Sequence, residues 1–428
     1  MSEANAQNPF VKLVNDQKYL VLDELKLECK DVLYKVPVAY KTWGKLNEDG
    51  TNCMVVCHAL SGSADVADWW GPLLGEGRAL DPTRFFIVCI NALGSPYGTA
   101  SPVTINPETG KIYGPEFPLT TIKDDSTILK RVLDHLNVNQ VAIIIGGSMG
   151  GMLAQEFLYY GKKFVRSAVL LATSAYHSAW GISWGETQRQ SIYCDPKYLD
   201  GYYEPDDPPT AGLGAARMTA LMTYRTRDSF NDKFGRKLPD PSVHKNSDKP
   251  DARSLSKKEE NWIVNNHGNP RSKETNSGYR QKSAQTYFTA QSYLRYQAQK
   301  FTQRFDANCY ISITRKLDTH DLSRGRTSSV GEALGLIEQP ALVIGIQSDE
   351  LFTFPEQVEI QKYIKDSELK KIVSPDGHDA FLLEFELING YILDFMNQHI
   401  PEFMQGAEKK PIGEAGDSIF GEDEVTIW

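Results

Sequence analysis

The chain has 428 residues, 41% of them hydrophobic and 24% charged, an ordinary composition for a soluble globular protein. A formal net charge of −9 leaves no basic footprint for nucleic acid, and no apolar run approaches the roughly 18 residues of a membrane span. The N-terminal MSEANAQNPF lacks a basic start and an apolar stretch, so no secretory signal is expected. Six cysteines without a CxxC pair fit a reducing, cytoplasmic setting. Cys53 and Cys57 stand in an apolar strand-like run and read as core thiols rather than metal ligands.

In chain order, KYLVLDELKLEC (18–29) and VLYKVPVAYKTW (32–43) alternate as half-buried antiparallel strands do. NCMVVCHAL (52–60) and FFIVCINAL (85–93) are continuously apolar, as strands covered on both faces are. TIKDDSTILKRVLDHLNV (121–138) sets Ile122, Ile128, Leu129, Val132, Leu133 and Leu136 near one helical stripe, with Asp124 and Asp125 suited to its first turn. VAIII (141–145), MLAQEFLYYG (152–161) and SAVLLAT (167–173) make a strand–helix–strand unit spaced for a right-handed parallel crossover. After Thr173 the pattern becomes helical and rich in Trp, Tyr, Arg and Met. Residues 231–283 are polar and have little apolar surface to offset ordering entropy, so a flexible insertion is expected there. Strand–helix rhythm returns with QPALVIGI (339–346) and KKIVSP (370–375), and FLLEFELINGYILDFM (381–396) reads as a closing helix.

The expected fold is α/β: a mostly parallel sheet with an antiparallel N-terminal edge, interrupted by a helical lid. The expected division is a core in two parts, 1–173 and 331–400, a lid over 174–330, and an acidic tail over 401–428.

Gly146-Gly147-Ser148-Met149-Gly150 fits G-x-S-x-G, with a strand before it and a helix after it. A tight strand-to-helix turn holds a nucleophile above the sheet edge, beside the first N–H groups of the helix. Read blandly, the glycines only permit close packing and Ser148 is an N-cap. A dinucleotide loop would need glycine where Ser148 stands, and a phosphate-binding loop would need a following G-K-[ST]. The elbow reading requires an acid and then a histidine further along the chain. His378 in SPDGHDAF lies on a loop between a strand and the last helix, and Asp349 in IGIQSDELF directly follows a strand. A carboxylate there can orient an imidazole and stabilise its protonated form. Glu350 is a rival acid, and Asp349 alone could be the N-cap of a helix starting near Phe354. For the oxyanion, the backbone N–H of Met149 is one candidate donor. A second is expected from the loop CHALSGSADVADWW (57–70), with Leu60 or a neighbour as the candidate.

These stretches resemble the fungal-type homoserine O-acetyltransferases, acyltransferases of the α/β-hydrolase fold. The resemblance rests on AYKTWGKLNE (39–48), CHALSGSADVADWWGPLLG (57–75), NALGSPYGTASP (91–102), YGPEFPLTTIKDD (113–125) and IGGSMGGM (145–152). It continues through HSAWGISWGETQRQSIYCDPKYLDGYY (177–203), GLGAARMTALMTYRTRDSF (212–230), YFTAQSYLRYQAQKF (287–301) and RFDANCYISITRKLDTHDL (304–322). IGIQSDELFTFPEQ (344–357) and SPDGHDAFLLEF (374–385) complete it, so only about 231–283 departs from the pattern. It implies ping-pong transfer of acetyl from acetyl-CoA, through acetyl-Ser148, to the hydroxyl of L-homoserine in methionine biosynthesis. Arg217 would pair with the homoserine carboxylate, Tyr224 would line the site and Asp379 would meet the ammonium. No metal or resident cofactor is implied, and a homodimer through the lid helices is. The alternatives are an acyltransferase for serine or another alcohol, a succinyl donor, an esterase or thioesterase, or a non-catalytic interaction protein of this fold.

Overall fold

In the computed structural model, residues 3–238, 257–258, 288–406 and 408–414 are described. Most of the insertion expected over 231–283, and the tail beyond 414, lie outside them. The first two strands, β1 (Lys18–Lys26) and β2 (Val32–Trp43), pair antiparallel with Lys18 opposite Tyr40. Their alternating sequence matches an edge that is only partly covered. β2 then pairs antiparallel with β4 (Phe86–Ile90), which lies parallel to β3 (Cys53–Cys57). β5 (Val141–Gly147), β6 (Ala168–Leu171), β7 (Ala341–Ile346) and β8 (Ser367–Ile372) continue the parallel part, in the order β1-β2-β4-β3-β5-β6-β7-β8. The chain winds outward from β3 to β4 and then crosses back to β5, which makes a topological switch point. Ligands of open α/β sheets bind in the crevice beyond the strand ends at such a point.

Every residue of β3, β4 and β5 is buried because both faces are covered. On β5, Val141 and Ile144 join one hydrophobic cluster while Ala142, Ile143 and Ile145 join the other. Each Val or Ile among them contributes about 1.5–3 kcal/mol by leaving water. That explains a run without alternation.

α1 (Val66–Trp69) is a short turn in the loop after β3. α2 (Ile122–His135) begins at a capping box in which Thr121 and Asp124 satisfy each other's backbone N–H. Asp125 does more than suit the helix dipole. It is fully buried, accepts the Leu93 N–H at 2.8 Å, and pairs at 2.5 Å with Lys316. α3 (Met149–Phe157) follows β5.

Between β6 and β7 the chain leaves the sheet. α4 (Ala179–Tyr193), α5 (Thr210–Tyr224), α6 (Arg227–Lys233), α7 (Thr289–Thr302) and α8 (Ala307–Asp318) form the lid, with α4 on α5 and α8 and α5 on α7. Lys316 on α8 is a buried tie to the core. α9 (Val330–Gly335) leads back to β7, and α10 (Phe354–Tyr363) connects β7 to β8.

The closing helix begins later than the apolar run. Gly377–Leu382 is a short 3-10 turn and α11 spans Phe385–His399, followed by α12 (Pro401–Met404). The leading FLL is apolar for a different reason, since the Phe381 ring packs against Gly147, where a Cβ would stand 2.7 Å from it. No helix among the described residues is long and apolar enough to cross a membrane.

Candidate active site

Ser148 sits where β5 turns into α3, at φ 57° and ψ −126°. A side chain in such a sparsely populated region costs about 1–3 kcal/mol, so the surroundings must enforce it. Its N–H donates to Leu171 O on β6 at 3.0 Å, and its carbonyl accepts from Thr173 Oγ1 at 2.8 Å and from the Gly151 N–H at 2.9 Å. Two glycines are required sterically. A Cβ on Gly146 would stand 2.1 Å from Gly150 O, and a Cβ on Gly150 would stand 2.1 Å from Cys57 O. The turn therefore closes only because backbone meets backbone. The Met149 N–H opens α3, where first-turn N–H groups have no intrahelical acceptor.

His378 lies on the loop after β8, one residue beyond Gly377, whose φ is +65°. Its Nε2 stands 3.0 Å from Ser148 Oγ, and its Nδ1 stands 2.7 Å from Asp349 Oδ2. Asp349 directly follows β7, and its other oxygen accepts the N–H groups of Leu351 at 2.8 Å and Phe352 at 2.9 Å. The two loops are tied together by Ser348, whose hydroxyl donates to Ser374 O at 2.6 Å and accepts the Gly377 N–H at 3.1 Å. Burial works against a charge on His378. The Asp349 carboxylate beside it, with Asp379 and Glu356, outweighs that and holds the imidazole above its ordinary value. Such a line can take a proton from the Ser148 hydroxyl and hold it as a stabilised imidazolium. Glu350, the rival acid, is exposed, and its carbonyl accepts the Trp180 indole N–H at 3.0 Å. The helix beyond is capped by Thr353 rather than Asp349.

Ala59, Leu60, Ser61 and Gly62 line the same cavity as Ser148 and His378. Their loop is braced by His58, whose Nδ1–H donates to Ala59 O at 2.7 Å while Nε2 accepts the Ala92 N–H at 3.0 Å. Burial pushes the His58 pKa down to about 4, so the ring stays neutral and keeps both bonds. Arg304 adds a bond to Ser61 O at 2.9 Å. His58 was not singled out in sequence, where nothing separates a bracing imidazole from any other.

Tyr224 and Asp379 both line the cavity, and the Tyr224 ring centre is 6.1 Å from that of His378. Arg217 is not among the lining residues. It is 2% exposed, with its guanidinium 5.6 Å from the Tyr224 ring centre and 4.8 Å from that of Phe301, so it stands one ring behind the wall. The lid also supplies walls from residues to which the sequence reading gave no site role: His177, Trp184, Gln188, Thr314 and Leu317. Arg225, next to Tyr224, pairs with both Asp376 and Asp379 at 2.8 Å. Among the described residues, no group of three or more His, Cys, Asp or Glu is placed to hold a metal ion.

The family model for the alpha/beta hydrolase fold matches residues 52–385. The homoserine O-acetyltransferase of Emericella nidulans is 52% identical, over 100% of this chain and 97% of its own length. That of Schizosaccharomyces pombe is 50% identical over 99% and 96%, and that of Saccharomyces cerevisiae is 50% identical over 100% and 97%. Among solved structures, the homoserine O-acetyltransferase from Bacillus anthracis superposes with a TM-score of 0.74 at 21% identity, covering 90% of this chain and 98% of that one. Esterase E22 superposes with a TM-score of 0.70, also at 21% identity, covering 88% and 99%. These two structures speak for the fold alone. With about half of the positions identical along essentially the whole chain rather than only at the elbow, the protein belongs to the homoserine O-acetyltransferases, an acyltransferase family built on the alpha/beta hydrolase fold.

Proposed function

We propose that this enzyme transfers acetyl from acetyl-CoA to the hydroxyl of L-homoserine, through an acetyl-Ser148 intermediate. The observation that carries this is the hydrogen-bonded line Ser148–His378–Asp349 opening into a lid-covered cavity that also holds Tyr224 and Asp379. In the first half, His378 Nε2 takes the Ser148 proton as Oγ attacks the thioester carbonyl. The N–H groups of Met149 and Leu60 steady the oxyanion, and CoA leaves as its thiol with the proton that His378 returns. In the second half, His378 takes the proton of the homoserine hydroxyl, which attacks the acetyl carbonyl, and Ser148 Oγ departs and recovers a proton. Asp379 receives the acceptor's ammonium. Arg217 supplies positive charge for its carboxylate.

Hydrolysis would share the first half, and water exclusion separates the two outcomes. Ser148 is 6% exposed beneath the lid, which favours transfer. The product would place the enzyme in methionine biosynthesis, in the cytoplasm. Trp180 and Met222 expose 55% and 51% of their surface on lid helices, consistent with a homodimer through the lid, which light scattering would read directly.

The test is purified protein with acetyl-CoA and L-homoserine, following CoA and O-acetylhomoserine together. Equimolar appearance is expected. CoA release indifferent to homoserine would overturn the proposal. Side-by-side rates with L-serine and succinyl-CoA define acceptor and donor, since one methylene is worth only about 1–3 kcal/mol.

A further inference from the structure

The end of α5 and the loop that carries His378 meet through four contacts. Thr226 Oγ1 donates to Pro375 O at 2.5 Å. Arg225 Nη1 pairs with Asp376 Oδ1 at 2.8 Å, and Arg225 Nε pairs with Asp379 Oδ2 at 2.8 Å. Gly377 lies so close to the Tyr224 carbonyl that a Cβ would stand 2.8 Å from that oxygen. The Arg225 side chain is 7% exposed, so its charge is screened little by water.

We propose that Arg225 is a positioning residue for His378: its guanidinium bridges Asp376 and Asp379, clasps the lid to the His378 loop, and offsets the two carboxylates that flank the imidazole.

A planar fork can serve two carboxylates at once, which an ammonium cannot do with the same geometry. The charged groups facing His378 come from three directions. Asp349 follows β7, Glu356 stands on α10, and Asp379 is the next residue in its own loop. All three favour the imidazolium. Arg225 is the cation that meets one of them, from the lid. Arg217 stands further off behind Tyr224, and burial keeps His177, also on the cavity, neutral near pH 7 by pushing its pKa down to about 4. Loss of the guanidinium removes the positive charge that offsets Asp379 beside the ring. The imidazole then holds its proton to higher pH, where it is no longer a base. Removal of Asp376 acts in the opposite sense.

The inference rests on His378 being the base for Ser148. The test is the pH profile of kcat/KM for acetyl-CoA with L-homoserine, repeated on acceptor-free release of p-nitrophenol from p-nitrophenyl acetate. In R225M the acid limb should rise by roughly half to one pH unit in both assays. In R225K it should rise by less than in R225M, because a cation remains but cannot bridge both carboxylates. In D376N it should fall. A folded R225M with an unmoved limb would overturn the proposal, as would an R225K that shifts as far as R225M. Should R225M fail to fold, D376N decides alone: a lowered limb supports the clasp, and an unmoved or raised one refutes it. Wild-type enzyme that transfers acetyl while the variants show no shift refutes the Arg225 role only. Wild-type enzyme inert in both assays refutes the acyl-enzyme reading itself.

Discussion

The turn at Ser148 and the lid above it are built in different ways. The turn is made of backbone. Ser148 is held by strand carbonyls and glycine contacts within a few residues of itself and on the neighbouring β3 and β6. The lid contributes side chains from α4, α5 and α8, far apart in sequence, and reaches the core through a few buried polar ties. Lys316 grips Asp125, Arg304 reaches Ser61, and Arg225 grips Asp376 and Asp379. The difference teaches a division of labour. A nucleophile must sit within tenths of an ångström of its partners, which rigid backbone secures. Acceptor recognition depends on pocket shape and charge, which helices can change without disturbing the sheet.

The comparison breaks most sharply at Ser148. S148A should lower turnover by about 10⁵–10⁶-fold while the urea midpoint stays near wild type, because the backbone turn does not depend on the hydroxyl. Retained activity would refute the core half of the scheme. D349N keeps the shape but presents the imidazole in the wrong tautomer, and about a 10⁴-fold fall in kcat is expected from steady-state rates. R217M probes the lid. Acceptor KM should rise roughly tenfold to a hundredfold, the size of a lost charge-assisted hydrogen bond, with the rate of acetyl-enzyme formation unchanged in single-turnover experiments. Equal damage to both half-reactions would erase the distinction between core and lid.

The smallest effects concern pH. Because His378 is held above its ordinary value, the acid limb of kcat/KM should lie above pH 6.5, and the rate should fall about tenfold for each unit below it as the base becomes protonated. Burial pushes the nearby Glu356 carboxyl up to about 7, so it carries charge mainly above that pH and then favours the imidazolium. E356Q should therefore move the limb down by a few tenths of a unit, roughly the size of a secondary charge at this range. An upward shift would mean that Glu356 acts through its cap on Thr353 instead of through charge.

Much of the site's geometry could be traced before folding. Strand, glycines, serine and helix form one local unit, so the elbow is visible in a dozen residues. Asp349 and His378 each follow a strand, and strands of one sheet end on one side, so their meeting with Ser148 follows from order alone. The choice of Asp349 over Glu350 did not, because adjacent side chains differ only in direction, and the loop sends one inward and the other to solvent. The start of the closing helix was misplaced because Phe381 is apolar for its contact with Gly147 and not for a helical stripe.

Arg217 and Arg225 mark the boundary between the two kinds of knowledge. Periodicity places Arg217 and Tyr224 on nearby faces of α5, yet only packing against Phe301 sets the arginine behind the ring. Arg225 and Asp376 lie 151 residues apart, and no local pattern links them. What the sequence determined by itself was whatever backbone sterics and short-range order impose: the turn at Ser148, the buried strands, and the order in which Ser148, Asp349 and His378 follow their strands. The tertiary structure decided which charges face which, because electrostatic partners are chosen by distance through space and burial, and the lid brings distant parts of the chain together.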